Sequence, residues 1–97
     1  LKVKKMTILY EKMKERIVNI THSQFAIQIL DALFSQPIFK TTDFVKRTGI
    51  KKQTAMPLLK LIRESGDLVV LREARGSSAS ILAFPALLTI AEGKDFV

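Results

Sequence analysis

Two short helical patterns joined by a tight turn, and followed at once by strand-like spacing, restrict the possible folds of this chain more than any other feature. Gly49 and Ile50 separate a pattern over 43–48 from a longer one that runs to Ser65. Beyond Gly66, apolar and β-branched residues over 68–73 and 80–84 predict two strands, joined by turn residues over 74–79. This order predicts a winged helix-turn-helix, with 42–66 as the helical pair and 68–84 as the wing.

The N-terminal part predicts two more helices. Over 3–20, apolar residues recur every three or four positions, at Met6, Leu9, Tyr10, Met13, Ile17 and Ile20. Thr21 and Gln24 have the spacing of a capping box for a second helix over 25–34, and Ser23 is an alternative N-cap. This second helix is dense in apolar residues, so we expect it to be almost wholly buried. Pro37 ends it, which leaves 38–40 as a short strand or an extended link.

The remaining helix ends follow from capping residues. Thr41 and Thr42 are both plausible N-caps for 43–48, and Gly49 ends that helix. A last short helix is expected over 86–91, with Pro85 in its first turn and Gly93 closing it. The predicted fold is therefore mainly α with a small β-hairpin. An amphipathic connecting helix (1–20) precedes a winged helix-turn-helix domain (21–97).

Length and composition exclude several protein classes. The 97 residues are enough for one compact domain. The absence of cysteine excludes disulfides and thiolate metal sites, and makes a cytoplasmic location the default. No stretch has the roughly 20 apolar residues of a membrane span, and no secretory signal is evident. Because the chain starts at Leu1 inside a charged amphipathic stretch, we expect it to be a fragment of a longer protein.

Most of the net charge of +7 lies in two basic blocks. Residues 1–20 carry six basic and two acidic groups, and residues 51–66 carry four and one. Such a distribution is compatible with a polyanionic partner such as double-stranded DNA. The alternative is that these blocks are solvated helix faces that keep the domain soluble, and for the first block this alternative is favoured.

The candidate DNA-binding residues lie on the second helix of the pair and beside the wing. Lysine and arginine side chains can neutralise phosphates, and a glutamine can pair with an adenine through both the oxygen and the nitrogen of its side-chain amide. Thr54 could cap the helix or present its hydroxyl to a phosphate. The candidate set is Lys51, Lys52, Gln53, Thr54, Lys60 and Arg63 on the helix, with Arg72 and Arg75 flanking the hairpin turn.

Two features argue against base-specific reading of DNA. Pro57 removes an amide donor and clashes with the carbonyl four residues earlier if the helix has begun by Gln53. The conflict disappears if Thr54 is the N-cap, since Pro57 then lies in the first turn. The predicted wing tip over 76–80 is small and hydroxylated, with no arginine.

No catalytic chemistry is predicted. His22 is the only histidine, so a two-histidine metal site is impossible and a structural or surface role is expected. Asp43 and Asp67 are better explained as a cap and a turn residue than as a catalytic pair. The four glycines stand at element boundaries and form no phosphate loop. We therefore predict no enzyme, no cofactor, no metal site and no small-molecule substrate.

Four stretches resemble the C-terminal winged-helix region that follows the catalytic domain in many bacterial Fic-family proteins. They are Tyr10–Ile17, Leu33–Phe39, Gly49–Ala55 and Ala83–Gly93. The resemblance implies that the longer protein transfers AMP, or a related group, to a hydroxyl of a target protein. The family's His-Pro-Phe stretch and Gly-Asn-Gly-Arg loop are absent, so no catalytic residue carries over. The role that carries over is DNA-binding-like, at Lys51, Lys52, Gln53 and Thr54.

Two functions follow as expectations. The first is a DNA-binding-like regulatory domain. The second is a protein-interaction or dimerisation module without DNA binding, which supports an upstream AMP-transferring Fic catalytic domain. The long apolar side of 3–20 and the apolar C-terminal helix motivate the second, and they predict a homodimer through the terminal helices.

Overall fold

The computed structural model describes residues 2–91, with the side chains of 3–90. Within this range the chain forms five helices and three short strands, so the prediction of a mainly helical fold with a small hairpin is confirmed. Gly93, expected to close the last helix, lies outside the described residues. The elements in chain order are α1 (Lys2–Thr21), α2 (Ala26–Ser35), β1 (Ile38–Lys40), α3 (Thr41–Thr48), α4 (Lys52–Glu64), β2 (Val69–Arg72), β3 (Ile81–Ala83) and α5 (Pro85–Ala91).

The three strands form one antiparallel sheet in the order β1-β3-β2. Leu82 pairs with Phe39 on one side and with Val70 on the other, and this row packs against the core. Two further backbone bonds fasten the ends of β1 to β3. The Phe84 N–H donates to the Pro37 carbonyl at 2.7 Å, and the Thr41 N–H donates to the Ser80 carbonyl at 3.1 Å. The segment 38–40 is therefore a strand, and it adds to the expected hairpin.

One hydrophobic core joins the sheet and the helices. Its largest side chains without measurable exposure include Phe44 and Phe84, and aromatic rings connect separate elements. The rings of Phe34 and Phe84 lie 5.5 Å apart, and those of Phe39 and Phe44 lie 5.3 Å apart, at the short distances favoured by aromatic pairs. Burial of these apolar surfaces is the main force that positions α3 and α4 on the sheet.

The first helix is part of this core. α1 lies against α2, α4 and α5, and it buries Met13 and Ile17. An ion pair adds a polar connection, since Arg16 Nε and Nη2 both donate to the Oδ2 atom of Asp67, at 3.0 and 2.8 Å. The apolar stripe that motivated a homodimer is thus largely covered within the chain.

The predicted capping of α2 is wrong. Thr21 is the last residue of α1, and its hydroxyl accepts a hydrogen bond from the Ser23 N–H and not from Gln24. α2 begins at Ala26 with Phe25 at the N-cap position, while the Ser23 hydroxyl accepts from the Phe25 N–H at 3.0 Å. The shift arises because His22 adopts a left-handed conformation, with φ of 49°, and turns the chain out of α1.

The expected start of α3 also differs, and the structure decides between the two alternatives that the sequence left for α4. α3 begins at Thr41 with the extended Lys40 as N-cap, so neither Thr41 nor Thr42 is the N-cap. The reason is that β1 runs directly into the helix and uses the Thr41 N–H to bond the sheet. α4 begins at Lys52 with Lys51 as N-cap, and the Thr54 N–H donates to the Lys51 carbonyl at 2.9 Å. Thr54 is therefore inside the helix, as is Pro57.

The second helix is less buried than expected. Ile29, Leu30 and Leu33 are fully enclosed, but Ile27 is 41% exposed and Asp31 lies on the same open side. A ten-residue helix on the surface of so small a domain can cover only one face, since its other side has no element left to pack against it.

Tyr10 provides a pH-dependent test of the α1–α2 contact. Its hydroxyl donates to Asp31 Oδ1 at 2.7 Å, and its ring packs on Phe34. The hydrogen bond to Asp31, followed by burial and the negative charges of Asp31 and Glu11, raises the pKa of Tyr10 above its ordinary value. Because the pKa is higher in the folded than in the unfolded state, the protonated hydroxyl of Tyr10 stabilises the fold. This contribution is fully present below the unfolded pKa of about 10, and it is lost as the pH rises through the folded pKa.

We expect tyrosinate absorbance to show this shift without interference, because the chain has one tyrosine and no tryptophan. Titration of the folded protein should give a midpoint above that of the protein in denaturant. Asp31→Asn should move the folded midpoint back toward the unfolded one. Equal midpoints in the folded and unfolded protein would contradict the α1–α2 contact.

Candidate nucleic-acid interface

Helix α4 is held on the core by one face and presents the other to solvent. Ala55, Leu58, Leu59 and Ile62 are buried and recur at helical spacing, which fixes the rotation of the helix. The opposite side therefore carries Gln53, Pro57 and Lys60, all of which are exposed. Lys51, immediately before the helix, and Lys52, in its first turn, are exposed as well.

The predicted site residues of α4 do not share a single face. At about 100° per residue, Lys52 and Arg63 lie on the side toward α3 and the sheet, and Gln53 and Lys60 lie further out. Thr54 is about 160° around the helix from Lys52, so it does not line the same surface. The structure thus places Lys51, Lys52, Gln53, Lys60 and Arg63 along one broad side of α4, over about 16 Å of its length, and separates Thr54 from them.

Arg72 and Arg75 are exposed on the hairpin, but they are held differently. Arg72 Nη2 donates to the Ala79 carbonyl across the hairpin at 3.0 Å. Arg75 and Ser78 exchange two backbone hydrogen bonds around a tight turn, in which Gly76 has a φ of 57°. A left-handed φ favours glycine at this position. Arg72 therefore stabilises the hairpin, while no hydrogen bond or ion pair in the described part of the chain engages the Arg75 guanidinium.

Pro57 is tolerated within α4 because it lies on the solvent side. As a proline it cannot donate the helical hydrogen bond to the Gln53 carbonyl. Both residues are exposed, so water can satisfy that carbonyl. The Pro57 ring is therefore part of the outward surface of α4, together with Gln53 and Lys60.

A groove runs along α4 between the helix, α3 and the sheet. It consists of two adjoining depressions of about 470 and 220 Å³, which share Thr41 and Met56 in their lining. We call it the basic groove. Val45, Met56, Leu59 and Leu82 supply its apolar surface, and Lys46, Lys52, Lys60 and Arg63 supply its charges. Sequence reasoning missed Lys46 and Val45 as parts of this surface, because only the packing of α3 beside α4 brings them to it.

The electrostatic character of the groove is uniform. No acidic side chain is among the residues that line the two depressions. In the region that the structure describes, none of its four cations takes part in an ion pair. The only acidic residue of α4 is Glu64, its last residue, so the positive surface extends along most of the helix.

Other kinds of site have little support in the described residues. Within 2–91 there is no group of three or more histidine, cysteine, aspartate or glutamate side chains that could hold a metal ion. None of the helices in that range is long and apolar enough to cross a bilayer.

Comparison with known proteins gives no match to a family model, a curated protein or a solved structure. The resemblance to Fic-family proteins therefore stays a prediction from the sequence.

Proposed function

We propose that this chain is a winged-helix-type domain that binds double-stranded nucleic acid through the exposed side of α4. The observation that carries the proposal is the set of exposed cations Lys51, Lys52 and Lys60 around Gln53, on a helix whose opposite face is fixed in the core. The element order and the β1-β3-β2 sheet support this interpretation, because they put a hairpin next to such a helix.

The residues have different roles in this proposal. Lys51 and Lys52 contact phosphates at the start of α4, and Gln53 lies where a base edge would be reached. Arg75 at the hairpin turn contacts the backbone beside the helix, whereas Arg72 mainly holds the hairpin. Pro57 limits how closely the outer surface of α4 can approach the bases of the duplex. We therefore expect phosphate contacts to dominate over base contacts.

Binding of a labelled random duplex, followed by fluorescence anisotropy at two salt concentrations, tests the proposal. Each phosphate neutralised releases counterions, so affinity should fall steeply as salt rises, with a log–log slope of about −0.9 per contact. With three or more contacts we expect a slope of about −3 or steeper. The absence of binding at low salt would contradict the proposal.

The second candidate is a protein-contact module, as the Fic resemblance implies, within a longer protein that transfers AMP. The outer face of the sheet favours it, because Ile38 and Val69 pair with Ala83 in one row and are 50% and 40% exposed. Leu71 at the β2 edge adds an apolar side chain that is 56% exposed. A failure of duplex binding would leave this candidate as the better account.

A further inference from the structure

The basic groove has a property that phosphate binding does not use. Nucleic acid backbones are contacted through charges and hydrogen bonds, so a lysine-rich surface alone would serve them. Yet the larger depression has mostly apolar walls, to which Met56, Leu59 and Leu82 contribute. An open apolar depression rimmed by polar groups is typical of a surface that binds another protein.

The charges around the groove specify the chemistry of that protein. Lys60 and Arg63 line the larger depression, Lys46 and Lys52 line the smaller one, and neither depression has an acidic residue in its lining. A segment with carboxylates on both sides of an apolar stripe is complementary to this arrangement. We propose that the basic groove binds an acidic amphipathic helix of a partner protein.

The dimensions of the groove suit a short helix. Lys52 and Lys60 are two turns apart on α4, or about 12 Å along its axis. Met56 lies midway between them and lines both depressions, so each depression can take one apolar side chain on either side of it. Anchors separated by one or two turns are the usual way in which an amphipathic helix occupies a groove.

This inference goes beyond the proposed function and does not depend on it. The two share Lys52 and Lys60, so nucleic acid and the acidic helix would compete for the domain. They differ at Met56, whose thioether contributes to an apolar contact and carries no charge for a phosphate. Substitution of Met56 therefore separates the two kinds of binding.

The test uses a labelled synthetic peptide of about 14 residues, long enough to span the groove as a helix. It has leucines on one helical face and glutamates elsewhere, and its binding to the chain is measured by anisotropy. Met56→Gln keeps the side-chain length but removes the apolar contact, and Lys60→Glu reverses one charge. We expect each to weaken peptide binding roughly five- to ten-fold, with Met56→Leu close to the unchanged chain.

Matched controls make the result specific. Lys12→Glu makes the same charge change on the exposed side of α1, and it should alter peptide affinity less than roughly two-fold. A peptide of the same composition with its leucines distributed around the helix should bind more weakly. Circular dichroism of each variant verifies that it is folded, and Lys60→Glu, at an exposed position, tests the groove even if Met56→Gln does not fold.

The inference is overturned if the peptide does not bind at low salt, or if folded Met56→Gln binds it as well as the unchanged chain does. It is also overturned if Lys12→Glu and Lys60→Glu weaken binding equally, because that pattern indicates unspecific attraction to a basic protein. The same variants are measured with the duplex. Duplex binding that is unaffected by Met56→Gln, together with loss of peptide binding, supports the inference. If the unchanged chain binds the peptide but not the duplex, only the proposed function is contradicted.

Discussion

Replacing Ile17 with alanine should lower the free energy of unfolding of the whole described domain by about 3 kcal/mol, because it opens a cavity in a packed core. Ile17 has no exposed surface and lies on α1, which packs on α2, α4 and α5. If α1 is integral to the fold, this loss will shift a single cooperative transition. Urea denaturation followed by circular dichroism measures it, with the midpoint reduced and the slope unchanged.

Val18 provides the neighbouring control. It is 42% exposed, so Val18→Ala should change stability by less than about 1 kcal/mol. Two separate transitions, of which only a minor one responds to Ile17→Ala, would instead show that α1 is a connecting helix outside the domain. That outcome would support the boundary after residue 20 that the sequence predicts.

Removing the charges of Lys51 and Lys52 together should weaken duplex binding by about ten-fold at low salt and reduce the salt slope by about 2. Both side chains are exposed at the start of α4, and the N-cap of this helix makes no side-chain hydrogen bond. Folding should therefore be unaffected, and the loss should be the same for all duplex sequences. Anisotropy titrations of the double alanine variant over a range of salt concentrations measure both quantities.

The matched control removes two lysines from the other basic block. Lys12→Ala with Lys14→Ala lowers the net charge by the same amount on the exposed side of α1. It should leave the salt slope within about 0.5 of the original value. Equal effects of the two double variants would mean that α4 is not the contact surface and that binding follows net charge alone.

The elements were predictable from the sequence because their signals are local. Apolar spacing together with helix-end residues indicated all five described helices, and Gly49, which ends α3 with a φ of 73°, was correctly assigned as its end. The helix starts were not predictable from residue type alone. Thr41 is a residue type that favours the N-cap position, but its N–H donates to the Ser80 carbonyl just before β3, and this long-range pairing has no signature in the sequence around Thr41.

The candidate surface was predictable only in part, for a related reason. The row of exposed cations on α4 follows from its apolar stripe, since burying one face exposes the other. The groove beside that row depends on how α3 and β3 pack against the helix, and Val45 and Leu82 appear in the sequence only as ordinary core residues. The hydrogen bond from Arg72 to the Ala79 carbonyl depends on the hairpin geometry, so it was not predictable from the sequence either.

The fastening of β1 to β3 has a kinetic consequence. Phe39 and Leu82 pair across a loop of about 40 residues that contains α3 and α4, and closing such a loop costs chain entropy before any contact repays it. The helices can therefore form early, but their orientation is set only when the loop closes. The basic groove is lined by residues of α3, α4 and β3, so it is complete only after this loop has closed.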